Sequence, residues 1–116
     1  MLPAAHRMRD GEAFRSTIRR GAKAVQADLV VHLNDATTPT DKTSVGFVVS
    51  KAVGNAVVRN RVKRQLRHAM VMPLQGIAAG HHVVIRAFPS AAGQSFERLA
   101  DEVSDGLVAA QGKLRR

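Results

Sequence analysis

A chain of 116 residues, 45% of them hydrophobic, is expected to fold as a single domain over 1–116, too short for two cores and too apolar for a disordered basic tail. It has no cysteine, which excludes disulfides, cysteine-bound metals and thiol catalysis, and none of its apolar runs approaches the ~18–20 residues of a membrane span. Eighteen Lys and Arg against nine Asp and Glu leave a net charge of +9, and on a folded domain that surplus points to a polyanionic partner, most often nucleic acid.

The N-terminal MLPAAHRMRD lacks an apolar h-region, so no secretory signal is expected, and a cytoplasmic location fits. Residues 10–20 predict a short helix, with Asp10 as N-cap, Ala13, Phe14 and Ile18 on one face, and Gly21 as its stop. Ala27 to Leu33 is short, apolar and β-branched, hence a strand; NDATTPTDKT is a loop; Ser44 to Val49 is a second strand. The longest helical segment runs from Asn55 to about Met72 and is expected to stop at Pro73. His82 to Phe88 is a third strand. Ser95 then caps a helix whose Phe96, Leu99, Ala100, Val103 and Leu107 recur at helical spacing, with 112–116 as a fraying tail. This order predicts an α+β two-layer sandwich.

Charge is distributed unevenly along the chain. From Thr43 to Phe96 there is no acidic residue, yet Lys51, Arg59, Arg61, Lys63, Arg64, Arg67 and Arg86 all fall inside. A merely solvated surface mixes both signs, so this stretch calls for an outside anion. On a helical wheel Val58, Val62, Leu66, Ala69 and Met70 share one arc; Asn60, Arg61, Lys63, Arg64, Arg67 and His68 share the opposite one, with Arg59 at the border. The first turn after Asn55 carries no carboxylate, which leaves the positive helix end open to a phosphate, or leaves Asn55 as a simple cap. The acids Glu97, Asp101, Glu102 and Asp105 cluster near the C-terminus, which suggests that this segment faces away from the partner.

The remaining candidates are few. With no Tyr or Trp and four Phe, Phe14 is either a base-stacking platform or a core residue. Phe47 is undecided between core and sheet face, while Phe88 and Phe96 are expected in the core. His32 alternates with Val31 and Leu33 and is expected on the more exposed sheet face. His81 and His82 point to opposite faces of a strand and cannot share one ion. No nucleophile, carboxylate pair or metal-ligand set stands near the basic region, which favours a binder over a self-sufficient enzyme.

The segment GNAVVRNRVKRQLR, Gly54 to Arg67, together with Lys51, resembles the arginine-rich signature helix of the protein subunit of bacterial ribonuclease P. EAFRSTIRRG, LVVHL, VGFVVSK and VVIRAFPSA are similar to that family's other elements, so the resemblance covers almost the whole chain. It implies a mostly antiparallel sheet with a left-handed βαβ crossover through the basic helix, the ribosomal-protein-S5-domain-2-like fold. It implies catalysis by a large RNA subunit using Mg²⁺, with no catalytic residue and no metal held by the polypeptide. Arg59, Asn60, Arg61, Lys63, Arg64, Arg67 and Asn55 would then contact the catalytic RNA. Phe14, His32, Lys51 and Phe47 would form the cleft for the 5′ leader of precursor tRNA, with one protein monomer in the holoenzyme and no membrane partner. Ile18 and His32 stand where the family often has aromatics, so stacking on the leader is expected to be weaker here. A structural RNA-binding protein of the ribosomal type is the alternative; a protein-only nuclease is disfavoured because the carboxylate cluster it needs is missing.

Overall fold

The structure, a computed structural model, describes residues 7–8, 11–35, 42–77 and 80–115. Its elements are α1 (Gly11–Arg20), β1 (Ala22–Val25), β2 (Leu29–Asp35), β3 (Ser44–Val48), α2 (Ala56–Gln75), β4 (His81–Ala87), a 3₁₀ turn (Pro89–Gly93) and α3 (Phe96–Leu114). The strands lie in the order β1-β2-β4-β3. β1–β2 and β2–β4 are antiparallel, whereas β3 and β4 run parallel and are joined through α2, a βαβ unit. The sheet is therefore mostly antiparallel, as the resemblance implies.

Alternation along the strands assigns the two faces. Leu29, Val31 and Leu33 of β2 and Val83, Ile85 and Ala87 of β4 join Val62, Leu66, Ala69 and Met70 of α2 and Leu99, Val103, Leu107 and Ala110 of α3 in one core. α3 comes close to β2: a Cβ on Gly106 would lie 2.5 Å from Val31 Cγ2, so glycine is what admits the contact. The opposite face is covered in part by α1, where Val84 packs with Met8 and Ala13, flanked by Phe14 and Val48. The two-layer sandwich thus carries one extra helix on its second face.

Several boundaries differ from the sequence expectation. β1 was not foreseen: AKAV has weak strand propensity, and it forms because its register against β2 (Ala22↔Leu33 to Val25↔Val30) satisfies its backbone. β2 begins at Leu29 and takes in Asn34 and Asp35, expected as loop. α2 continues past Pro73 to Gln75. So close to the helix end the proline removes one helical donor, and Gly76 N–H donating to the Pro73 carbonyl at 3.0 Å closes the turn. Gly112 to Leu114, expected to fray, form the last turn of α3. On α1 the buried residues are Ala13 and Thr17, while Ile18 is exposed; the Asp10 cap lies outside the described residues. Phe96 is also exposed rather than core, and Phe88 is half-buried.

Polar groups fasten α3 to the β1–β2 turn. Asp28 N–H donates to Glu102 Oε1 at 2.7 Å, and Arg98 Nε lies 3.3 Å from Glu102 Oε2 and 3.8 Å from Asp28 Oδ2. A side-chain hydrogen bond between the two carboxyls holds Asp28 low, while burial, followed by that same bond, pushes Glu102 up. Glu102 therefore leaves the expected acidic surface cluster and becomes a tie; Glu97, Asp101 and Asp105 remain exposed.

Candidate nucleic-acid interface

A groove of about 300 Å³ straddles the β3 edge of the sheet. α1 supplies Phe14, the edge supplies Val45, Gly46 and Phe47, and α2 supplies Lys63 and Arg67. The fourth side is Arg7 and Met8, which extend the sheet: Arg7 bridges Val45 in parallel, and Met8 N–H donates to the Val45 carbonyl at 2.9 Å. Sequence reasoning missed these two residues, because pairing of a two-residue stretch with a distant edge has no periodic signature.

Phe14 packs against the core and lines the groove at once. It is half-buried against the second core, and its ring tip stands over Gly46, where an added Cβ would lie 2.2 Å from Phe14 Cζ. Glycine at 46 is what lets the ring seat there while it also lines the groove. Arg7, Lys63 and Arg67 supply three positive charges, and among the described residues no carboxylate lines the groove. The Nε atoms of Arg7 and Arg67 are buried without a hydrogen-bond partner. Buried donors left unpaired cost free energy, and an anion in the groove would satisfy them.

On the outer side of α2 a second hollow of about 330 Å³ is lined by Asn60, Lys63, Arg64, Arg67 and His68. Lys63 and Arg67 are four positions apart, one turn along the same stripe, and both belong to the two hollows at once. Arg61 is partly committed elsewhere: it donates to the Ala92 carbonyl at 2.7 Å and ties α2 to the 3₁₀ turn. Arg59 is half-buried. Asn55 caps the helix, its side-chain oxygen accepting from Val58 N–H at 3.0 Å.

A family model described as Ribonuclease P matches residues 2–111. The chain belongs to that family. The Ribonuclease P protein component of Mycobacterium sp. (strain KMS) is 42% identical over 114 residues, covering 98% of this chain and 97% of the relative. That of Nocardioides sp. is 48% identical over 109 residues, covering 93% of each. Among solved structures, the Staphylococcus aureus RNase P protein superposes with a TM-score of 0.79 at 23% identity, over 90% of this chain and 94% of the other. The RNase P protein from Thermotoga maritima gives 0.74 at 20% identity, over 89% and 94%. At those identities the two structures bear on the fold alone, while the family model and the sequence relatives decide against the ribosomal alternative.

Of the four residues expected to line a cleft in a ribonuclease P protein, Phe14 and Phe47 come together in the groove, and Lys51 and His32 do not line it. Lys51 is exposed in the turn before α2. His32 was expected on an exposed face and is instead 3% exposed, on the face of β2 that α1 covers, between Lys23 and Val84 in register. Burial, with the charges of Lys23 and Arg86 adding to it, holds its imidazole below the usual histidine range. The unfolded chain therefore takes up a proton that the folded chain refuses. The His32 contribution to stability is flat above about pH 6.5 and falls as the pH drops below it, by at most ~1.4 kcal/mol per pH unit, until the folded imidazole also takes up its proton. In His32→Gln that slope should shrink, as measured by urea midpoints between pH 7.5 and 5; an unchanged slope would assign it to another group.

Among the described residues no three His, Asp or Glu side chains gather as a cation site, and no helix is long and apolar enough to cross a membrane.

Proposed function

We propose that this chain is the protein subunit of a ribonuclease P holoenzyme that removes the 5′ leader from precursor tRNA in the cytoplasm. One copy grips the catalytic RNA with the outer face of α2, through Asn60, Lys63, Arg64, Arg67 and Arg59. It holds the single-stranded leader in the groove beside Phe14 and Phe47. The observation that carries this reading is the groove itself: a half-buried aromatic ring beside three cations, with, among the described residues, no acid and two buried guanidinium nitrogens unpaired. A base can stack on such a ring while its phosphates meet the cations. Hydrolysis falls to the RNA with Mg²⁺ bound mainly by it, and the protein lowers the Mg²⁺ needed by adding positive charge where two polyanions meet.

Reconstitution tests this directly. The protein alone should leave precursor tRNA intact, and protein plus a bacterial ribonuclease P RNA should release the leader at Mg²⁺ concentrations where the RNA alone is slow. Robust cleavage by RNA-free protein would overturn the reading. Within the same assay Arg64→Ala should lower the magnitude of the salt slope of RNA binding by roughly 0.7–0.9 per lost phosphate contact. Arg61→Ala is a poorer probe, because it also cuts the tie to Ala92.

A further inference from the structure

Lys63 and Arg67 occupy a position that no single-site description covers. Most groups around the two hollows line only one of them: Arg7, Phe14 and Phe47 the groove, Asn60, Arg64 and His68 the outer face. Lys63 and Arg67 line both and form the wall between them. Each is half-buried, so its stem is held in the wall, and among the described residues neither is paired with a carboxylate. The Arg67 Nε is buried without an acceptor inside that wall, which leaves the planar guanidinium with donors to spend on either side.

We infer that Lys63 and Arg67 are shared cations that bridge two RNA strands, the catalytic RNA on the outer side of α2 and the leader in the groove, so that the two binding events are energetically coupled through these two residues. This rests on the proposed function above. A cation lying between two polyanions acts twice: it attracts each, and it screens their mutual repulsion. Arg64 and Arg7, each reaching one hollow, act once. By thermodynamic reciprocity the coupling must appear in whichever affinity is measured second.

The experiment compares variants on two separate readouts. The first is the affinity of the protein for ribonuclease P RNA alone. The second, taken with the protein–RNA complex preformed at saturation, is the ratio of its affinities for precursor tRNA and for mature tRNA without a leader. Arg64→Gln should lower the first only, and Arg7→Gln and Phe14→Ala the second only. Lys63→Gln and Arg67→Gln should each lower both, by about threefold to tenfold apiece, the size of one typical net hydrogen bond. Arg67→Lys, which keeps the charge, should return part of both losses, and that restoration separates a charge effect from a folding defect. If Arg67→Gln and Lys63→Gln each move only one readout, the shared wall is wrong and the two sites are independent. If Arg7→Gln and Phe14→Ala leave the precursor-to-mature ratio unchanged, it is the leader groove that fails instead.

Discussion

Gly46→Ala should destabilise the protein by ~1–3 kcal/mol, the usual cost of forcing extra atoms into a filled site. The added Cβ would stand 2.2 Å from Phe14 Cζ and 2.4 Å from Cε1, well inside contact distance. β3 is held on both sides, by β4 in register and by the Arg7–Met8 segment, so the strand cannot easily back away. The ring must move instead, and with it the attachment of α1 to the second core. Leader affinity should fall in the same variant, because the ring is one wall of the groove. Phe14→Leu in the Gly46→Ala background removes the ring tip and should return part of the stability without returning leader binding. Urea denaturation of the four proteins in that cycle gives the coupling energy; strictly additive effects would mean that the ring and residue 46 do not meet.

Leu66→Ala is expected to cost more, ~2–5 kcal/mol, against a typical total of ~5–15 for a domain. Leu66 is fully buried on the inner stripe of α2, with Val62 one turn before it and Ala69 and Met70 after it, packed on the sheet and α3. The same helix presents Lys63, Arg64 and Arg67 to the outer hollow, so the cavity and the side chains proposed to bind RNA share one backbone. The variant should therefore lose stability while keeping its RNA contacts. Since binding to the folded state adds stability by mass action, ~4 kcal/mol at a thousandfold excess over Kd, saturating ribonuclease P RNA should restore much of the lost melting temperature. A variant that RNA cannot rescue would show that Leu66 also shapes the binding surface.

Much of this was legible before any coordinates. α2 and its two faces follow from 3.6-residue periodicity, because a long amphipathic helix carries its own phase, and Val62, Leu66, Ala69 and Met70 are buried where the wheel puts them. The Ser95 cap, with its Oγ accepting from Arg98 N–H at 3.1 Å, was equally local. His32 was misplaced because alternation along a strand says which residues share a face but not whether a helix covers that face. On α1 Thr17 is buried and Ile18 is left exposed for a related reason. A ten-residue helix offers two adjacent stripes, and the sheet it lands on chooses between them.

Periodicity by itself determined that the long helix turns an apolar stripe inward and an arginine-rich stripe outward, and charge order by itself raised the expectation of an anionic partner. These are short-range properties, set by residues within a few turns of one another. The tertiary structure decided the rest. It brought Arg7, Phe14, Gly46 and Arg67 to one groove across 60 residues of sequence, buried His32 beneath α1, and placed Lys63 and Arg67 on a wall with a hollow on each side. Such juxtapositions depend on strand order and on which faces meet. Both are settled by packing the whole chain at once, and no local pattern encodes them.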